Sequence, residues 1–400
     1  MISRDLKIIM EEFLSSKNNS MQRFTKQIKN NEKFRFIKNL FTLIFKLDSQ
    51  YLLKSNKHKI KINFIVEKAN WAIKWDGIYI TNSINNYLKK DISKISSIPI
   101  IKSNKKIVHF ASQYMWLDWQ KLMPNKHKYV VSFFHGKPDD SPEVKKHIND
   151  FLKSQKKIHR IITASTLVES RLIQWGIEKS KIALIHTGVN TKIFNIPSKD
   201  KRIRIREKLG FLENDIVIGS FQKDGIGWGK GYEPKIIKGP DIFVNAIEII
   251  AKELPVTVLL TGPSRGYVKK ELIKRNIKFK HIYIDNYEDI KDYYHALDLY
   301  IVSSREEGGP KPMIESMASG VPVVTTNVGM SKDFIKDKVN GGIIDSFDPI
   351  DLANKSLEIL NKPKEELISM ARKDVLKSDW DIVAKLHWEK VYKPLLESLE

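Results

Sequence analysis

Short apolar runs recur along most of the chain, separated by longer stretches with helical spacing. The first series is Ile60–Val66, Ile107–Phe110, Tyr129–Phe134, Ile158–Thr163 and Ile182–Ile185. The second is Ile216–Phe221, Val256–Leu260, His281–Ile284, Leu299–Ser303 and Val321–Thr325. The runs are rich in β-branched and aromatic types and lack the polar alternation of half-exposed strands. Such runs suit strands buried on both faces. Their alternation with helical segments predicts parallel sheets built from βαβ units. The fold class is therefore α/β, with two doubly wound domains, 58–198 and 207–375. The segment Asn195–Arg206, with Pro197 and several charges, reads as the linker. Ligands of such sheets bind at the carboxyl ends of the strands, so the cleft between the domains is the expected site.

Residues 1–57 follow another pattern. Phe36, Ile37, Leu40, Phe41, Ile44 and Phe45 recur at helical spacing, with Lys33, Arg35, Lys38 and Lys46 between or beside them. That predicts an amphipathic basic helix. One reading docks it on anionic lipid; the other packs it on its own domain with a solvated lysine face. Residues 1–61 hold 14 Lys and Arg against 5 Asp and Glu, so this short segment carries +9 of the chain's net +22.

The charge changes the picture in one respect. A surface this basic attracts polyanions: nucleic acid, anionic headgroups or phosphorylated ligands. The basic residues are spread along the chain without a recognised nucleic-acid module, which argues against nucleic acid as partner. There is no cysteine, which excludes disulfide scaffolds, thiolate metal sites and cysteine nucleophiles. No run approaches the roughly 20 apolar residues that cross a bilayer, and the opening stretch lacks a secretory pattern. The expected location is cytoplasmic, peripheral at the inner membrane face.

The most informative segment is Leu299–Gly329. A strand is expected to end near Ser303, followed by a loop carrying Gly308 and Gly309. A helix then starts near Pro312 and stops at Gly320. The glycines let the backbone approach a ligand, and the free amides at the helix start favour an anion. Glu307 and Glu315 can both face the cleft, where carboxylates accept paired hydrogen bonds from vicinal hydroxyls. The alternative for Glu315 is a first-turn glutamate that merely suits the helix dipole.

The run Glu307–Glu315, followed by a small-residue helix, Gly320 and a Pro-Val strand, resembles the donor motif of family 4 glycosyltransferases. The similarity extends over Ala296–Leu360, and residues 161–194 resemble the same family's crossover into the linker. The resemblance implies a GT-B architecture: two Rossmann-like domains facing across a cleft, with an acceptor-side first domain and a nucleotide-sugar held mainly by the second. It implies retention of anomeric configuration and no required metal or other cofactor. It also implies that the segment 376–400, with Trp380, Leu386, Trp388 and Tyr392, crosses back to the first domain.

Roles follow position by position. The resemblance gives Glu307 contact with the donor sugar and Glu315 the ribose hydroxyls. It gives Gly308, Gly309, Pro310 and Lys311 a part in positioning sugar and phosphate, with Gly219 and Ser220 on the strand before the diphosphate loop. The basic pair that holds the diphosphate matches Lys238 at one position. The usual arginine is Ser220 here, and Lys223 is the expected substitute, with Lys230 and Lys235 also within the loop. His135, at the end of the Tyr129–Phe134 run, resembles the family's cleft histidine. The loop Glu67–Gly77 matches the acceptor loop, where Trp71, Trp75 and Asp76 are the candidate acceptor-binding residues; core packing is the other reading for the tryptophans. The expected function is transfer of a sugar from a nucleoside-diphosphate donor to a hydroxyl of a glycan or lipid-linked acceptor, in surface-polysaccharide assembly. The missing arginine keeps open a non-catalytic GT-B subunit, and the charge keeps open a nucleic-acid binder.

Overall fold

The structure is a computed structural model that describes residues 39, 60–68, 72–101 and 104–399. The basic helix expected within residues 1–57, residue 39 apart, and Trp71 lie outside the described residues.

Two six-stranded parallel sheets dominate. In the first the order is β2-β1-β3-β4-β5-β6, with β1 Ile62–Ile65, β2 Ser93–Ser96, β3 Ile107–Phe110, β4 Lys128–Ser132, β5 Arg160–Thr163 and β6 Ile182–Leu184. In the second it is β12-β11-β10-β7-β8-β9, with β7 Ile216–Ser220, β8 Val256–Thr261, β9 Lys278–Ile282, β10 Leu299–Val302, β11 Val323–Thr326 and β12 Gly342–Ile344. Every described pairing within these two sheets is parallel, as the continuous apolar runs require. The helices that position the cleft are α1 Ala72–Leu88, α2 Thr166–Gln174, α3 Lys199–Lys208, α4 Pro240–Glu253, α5 Gly266–Lys274, α6 Lys311–Ala318 and α7 Trp380–His387.

The expected strands all form, within a few residues. The run expected at His281–Ile284 pairs earlier, as β9, because register with β8 places Thr257 opposite Lys278. Its lysines are tolerated because β9 is an edge strand. Two short edge strands, β2 and β12, escaped the apolar pattern. The linker is not a loop throughout. Its second half is α3, anchored where Arg202 and Arg206 both donate to Asp298, at 2.9 and 3.0 Å. Its start is capped by Ser198, which accepts from the Lys201 amide.

One core packs on the first sheet, and two pack on the faces of the second. Trp380, Val383, Ala384, Val391, Tyr392 and Leu395 belong to the first core, so the carboxyl-terminal segment does cross back to the first domain. Trp116 and Trp119 are buried in that core as packing residues.

Candidate functional site

In a doubly wound sheet the loops on either side of the strand-order reversal splay apart and leave a crevice. In the second sheet the reversal lies between β7 and β10. The loop after β7 leads to Lys238, and the loop after β10 carries Glu307. The two side chains meet across the switch point, with Lys238 Nζ 2.6 Å from Glu307 Oε1. Ser304 also donates to that oxygen, at 2.8 Å. Burial pushes the Glu307 carboxyl up, but the Lys238 charge and hydrogen bond outweigh it and hold the group below its ordinary range. Glu307 is therefore a buried anion. Gly239 caps α4 directly after Lys238, so the helix's amino end faces the same place.

His135 follows β4 at the facing edge of the first sheet. Burial, then the positive charge of Lys238, pulls its imidazole below its usual pKa against the opposing pull of Glu307 and Glu306. The structure thus brings three expected residues, Glu307, Lys238 and His135, to one point between the domains.

Lys223 does not join them. Its ammonium lies over the Trp228 ring, 4.2 Å from the centroid. Lys235 takes the inner position instead. It is half-buried, and the charges of Lys238, Glu307 and Lys223 all act on it; burial and the two neighbouring lysines lower its pKa. Ser220, where the resemblance expects an arginine, is held from beneath by the buried Arg265. Ser220 is buried and its hydroxyl accepts from Arg265 at 3.1 Å, while its carbonyl accepts from the same guanidinium at 2.7 Å. Ser220 is thus committed to Arg265 and not presented to the cleft. Gly219 lies inside the sheet, where a Cβ would run into the Leu297 side chain, so it is a packing position.

Glu315 departs furthest from expectation. It lies on α6, buried, and its two oxygens accept from the hydroxyls of Tyr287 and Tyr294, the latter at 2.8 Å. Burial raises its carboxyl, although the Lys311 charge and both hydroxyls pull the other way. Lys311 itself turns across the cleft to pair with Asp76 of α1. Trp75 sits between Tyr79 and Tyr287, at ring distances of 6.0 and 5.5 Å. So two of the three expected acceptor residues do reach the cleft, but they contact the second domain.

The domains also touch along the loop before α6. Gly308 presses against the Phe134 carbonyl so closely that no Cβ would fit. Gly309 packs on Thr187 and Ala164, and Pro310 caps α6. Beside them, Glu306 accepts from Arg171 of α2 at 2.6 Å, from the Gly136 amide at 3.1 Å and from Lys137 at 3.2 Å. Tyr79 donates to Glu288 at 2.6 Å, and Thr166 to Asp333 at 2.5 Å. On the first-domain side a cavity of about 40 Å³, room for a few waters, lies between Asp76, Phe134, His186 and Trp380. This is a closed arrangement. Glu306, Arg171, Tyr287, Tyr294 and Arg265 are not singled out as site residues by the sequence, whereas Lys235 is there an alternative to Lys223. Only Glu306, beside Glu307, and Lys235, within the diphosphate loop, carried a signal there.

Two doubly wound parallel sheets, with their switch-point loops facing across one cleft, define the GT-B fold. Residues 233–374 match the family model for Glycosyl transferases group 1. An uncharacterized glycosyltransferase of Methanocaldococcus jannaschii is 26% identical over 269 residues, 65% of this chain and 66% of that protein. A second from the same organism is 30% identical over 236 residues, 58% of this chain and 56% of that one. The chain thus spans about half to two thirds of the length of these two relatives. The Anabaena HepE protein, solved with UDP and glucose, superposes with a TM-score of 0.64 at 18% identity. That match covers 85% of this chain and 99% of HepE, a likeness of fold.

Proposed function

We propose that this protein is a glycosyltransferase. It moves a sugar from a nucleoside-diphosphate donor to a hydroxyl of a glycan or lipid-linked acceptor, with retention of configuration and without a required metal. The observation that carries this reading is the cluster at the second sheet's switch point. Lys238 and Lys235 stand beside one buried carboxylate, Glu307, at the amino end of α4. Two cations against one anion, facing helix amides, leave a site short of negative charge. A diphosphate supplies it.

The chemistry follows from the same geometry. As the bond from the sugar to the diphosphate breaks, negative charge builds on the departing oxygen. Lys238, Lys235 and the α4 amides stabilise that charge in place. The acceptor hydroxyl approaches on the face the diphosphate leaves, and the departing phosphate oxygen takes its proton. Glu307 orients the sugar by accepting from its hydroxyls, and neutral His135 contributes a ring nitrogen from the first domain. Entry of the donor requires the domains to part and Tyr287 to give up one oxygen of Glu315, which then receives the ribose hydroxyls. The glycosyltransferase names of the relatives support this reading, as does the UDP and glucose in the HepE structure. The role in surface-polysaccharide assembly rests on the basic composition alone.

The test is thermal stabilisation by UDP, GDP, ADP and CMP and then by their sugar conjugates, with and without EDTA. Ligand at about 100 times its Kd should add roughly 2.7 kcal/mol. A shift with one nucleotide, unchanged by EDTA, supports the donor site. No shift with any nucleotide, together with a salt-sensitive shift with DNA, overturns the reading.

A further inference from the structure

Between β7 and α4 the chain makes a hairpin, residues 224–235, whose tip stands out at the rim of the cleft. Asp224 and Lys235 are joined at its base by a backbone bond of 2.7 Å, and Ile226 and Glu233 above it by one of 2.9 Å. The tip is held rigidly. Ser264 Oγ lies 3.0 Å from the carbonyls of both Gly227 and Gly229. The amides of Gly266 and Tyr267 donate to the Lys230 and Gly231 carbonyls at 2.8 Å. Gly231 has φ +70°, and a Cβ there would strike the Ser264 backbone. Under the base, the fully buried Arg265 pairs with Asp224 at 3.0 Å and donates to the Ser220 and Gln222 carbonyls.

This scaffold holds apolar side chains out in solvent. Ile226 is 50% exposed, Trp228 61%, Tyr232 62% and Ile236 50%. Four such residues within eleven positions are not scattered surface hydrophobics, because the backbone that presents them is fixed by buried bonds. The exposed Lys230 and the half-buried Lys223 flank them, against the single exposed acid Glu233. Tryptophan and tyrosine beside isoleucine, ringed by lysine, suit the boundary between anionic headgroups and acyl chains. A sugar-stacking platform fits less well. Lys223 already covers one Trp228 face, and isoleucines give a sugar ring no flat surface.

We propose that the hairpin 224–235 docks this protein on an anionic lipid bilayer, with Trp228 and Tyr232 entering the headgroup region and the lysines meeting the lipid charge. The surface does not depend on the activity proposed above.

The test uses the full chain and vesicles of phosphatidylcholine with and without phosphatidylglycerol. Binding should need phosphatidylglycerol and weaken with salt. Trp228→Ser with Tyr232→Ser should weaken it about tenfold, and Lys230→Gln roughly fivefold. Melting curves confirm that these surface variants are folded. Because residues 1–57 could bind vesicles alone, insertion is read directly: brominated lipid should quench wild-type tryptophan fluorescence more than that of Trp228→Phe. Equal quenching in the two proteins overturns the proposal even if both bind vesicles. So does unchanged vesicle affinity in the double variant, or a loss confined to a neutral-glycan probe such as maltohexaose.

Discussion

Lys311 of the second domain and Asp76 of the first are paired across the cleft, and the Lys311 ammonium also lies 5.1 Å from the Tyr287 ring centre and 5.2 Å from that of Trp380. One buried cation therefore serves carboxylates of both domains, since its charge also acts on Glu315. It ties closure of the cleft to the state of the donor side. A ligand that draws Lys311 or Tyr287 away loosens the contact with the first domain.

Lys311→Met should expose that dependence. Burial already raises both Asp76 and Glu315, and Lys311 is the charge that opposes it. Without it both carboxyls rise further. A carboxyl raised in the folded state favours folding when protonated and loses that contribution as pH climbs through its folded pKa. The variant should therefore trail the wild type by roughly 3 kcal/mol at pH 8, and the gap should narrow toward pH 5. Urea midpoints at the two pH values measure it. A gap that does not change with pH rules out the two carboxylates as the cause.

The contact between Glu306 and Arg171 gives a second handle on closure. Arg171→Ala leaves a buried carboxylate with only the Gly136 amide and the more exposed Lys137. Stability should fall by about 3 kcal/mol, and the radius of gyration in solution scattering should rise as the domains part. Glu306→Gln keeps the Gly136 bond and should cost less. If Arg171→Ala unfolds at the wild-type midpoint with unchanged scattering, the pair does not hold the cleft shut.

The order of strands was readable because each apolar run is local and buried on both faces. Lys238 and Glu307 are marked by the resemblance, each within a short stretch that has helix-start and glycine signals of its own. What could not be read were pairings between distant segments. Arg171 and Glu306 are 135 positions apart, and nothing near either one marks the other. The choice between Lys223 and Lys235 depended on how the hairpin folds, which turns Lys223 onto Trp228. The resemblance assigns Glu315 the ribose, whereas Tyr287 and Tyr294 come from the segment after β9, which carries no signal of meeting it. β2 and β12 were missed for a simpler reason, since three- and four-residue edge strands leave little apolar pattern.

Beneath the cleft, the first domain buries histidines that should make the fold acid-sensitive. His109 contacts the Tyr392 hydroxyl at 2.6 Å and Ser132 Oγ at 2.9 Å, and burial drives its pKa well below 6.5. Burial takes His387 down to about 4. As pH falls below 6.5 the unfolded chain takes up protons that the folded chain refuses, so stability is lost from there down to the folded pKa. Each such proton contributes up to about 1.4 kcal/mol per pH unit. His387→Gln should flatten the dependence of the urea midpoint between pH 6.5 and 4.5 by up to one proton. An unchanged slope would show that His387 is protonated in the fold.

Lys238 and Glu307 separate structure from chemistry. Lys238→Ala leaves Glu307 buried without its cation and should destabilise the fold by roughly 3 kcal/mol. Adding Glu307→Gln removes the stranded charge and should restore most of that loss. Turnover should behave differently, falling about 10²- to 10³-fold in Lys238→Ala and not recovering in the double variant. Melting temperature and single-turnover rate, taken on the same three proteins, check both halves. If the rate recovers with stability, Lys238 acts only by holding the loop.

Tyr287→Phe decides what Glu315 is for. If ribose hydroxyls take the place of the Tyr287 hydroxyl, deleting that hydroxyl removes a competitor and keeps the ring that packs on Trp75. Nucleotide affinity should then rise several-fold, up to about tenfold, the worth of one hydrogen bond to a charged group. Glu315→Gln should move it the other way by a similar factor, with Tyr294 still donating to the remaining carbonyl oxygen. Titration calorimetry with the nucleotide that stabilises the wild type reads both. Should Tyr287→Phe bind more weakly than the wild type, the hydroxyl serves the bound state. Glu315 would then be a brace for the two tyrosines, and the ribose would be held by other groups.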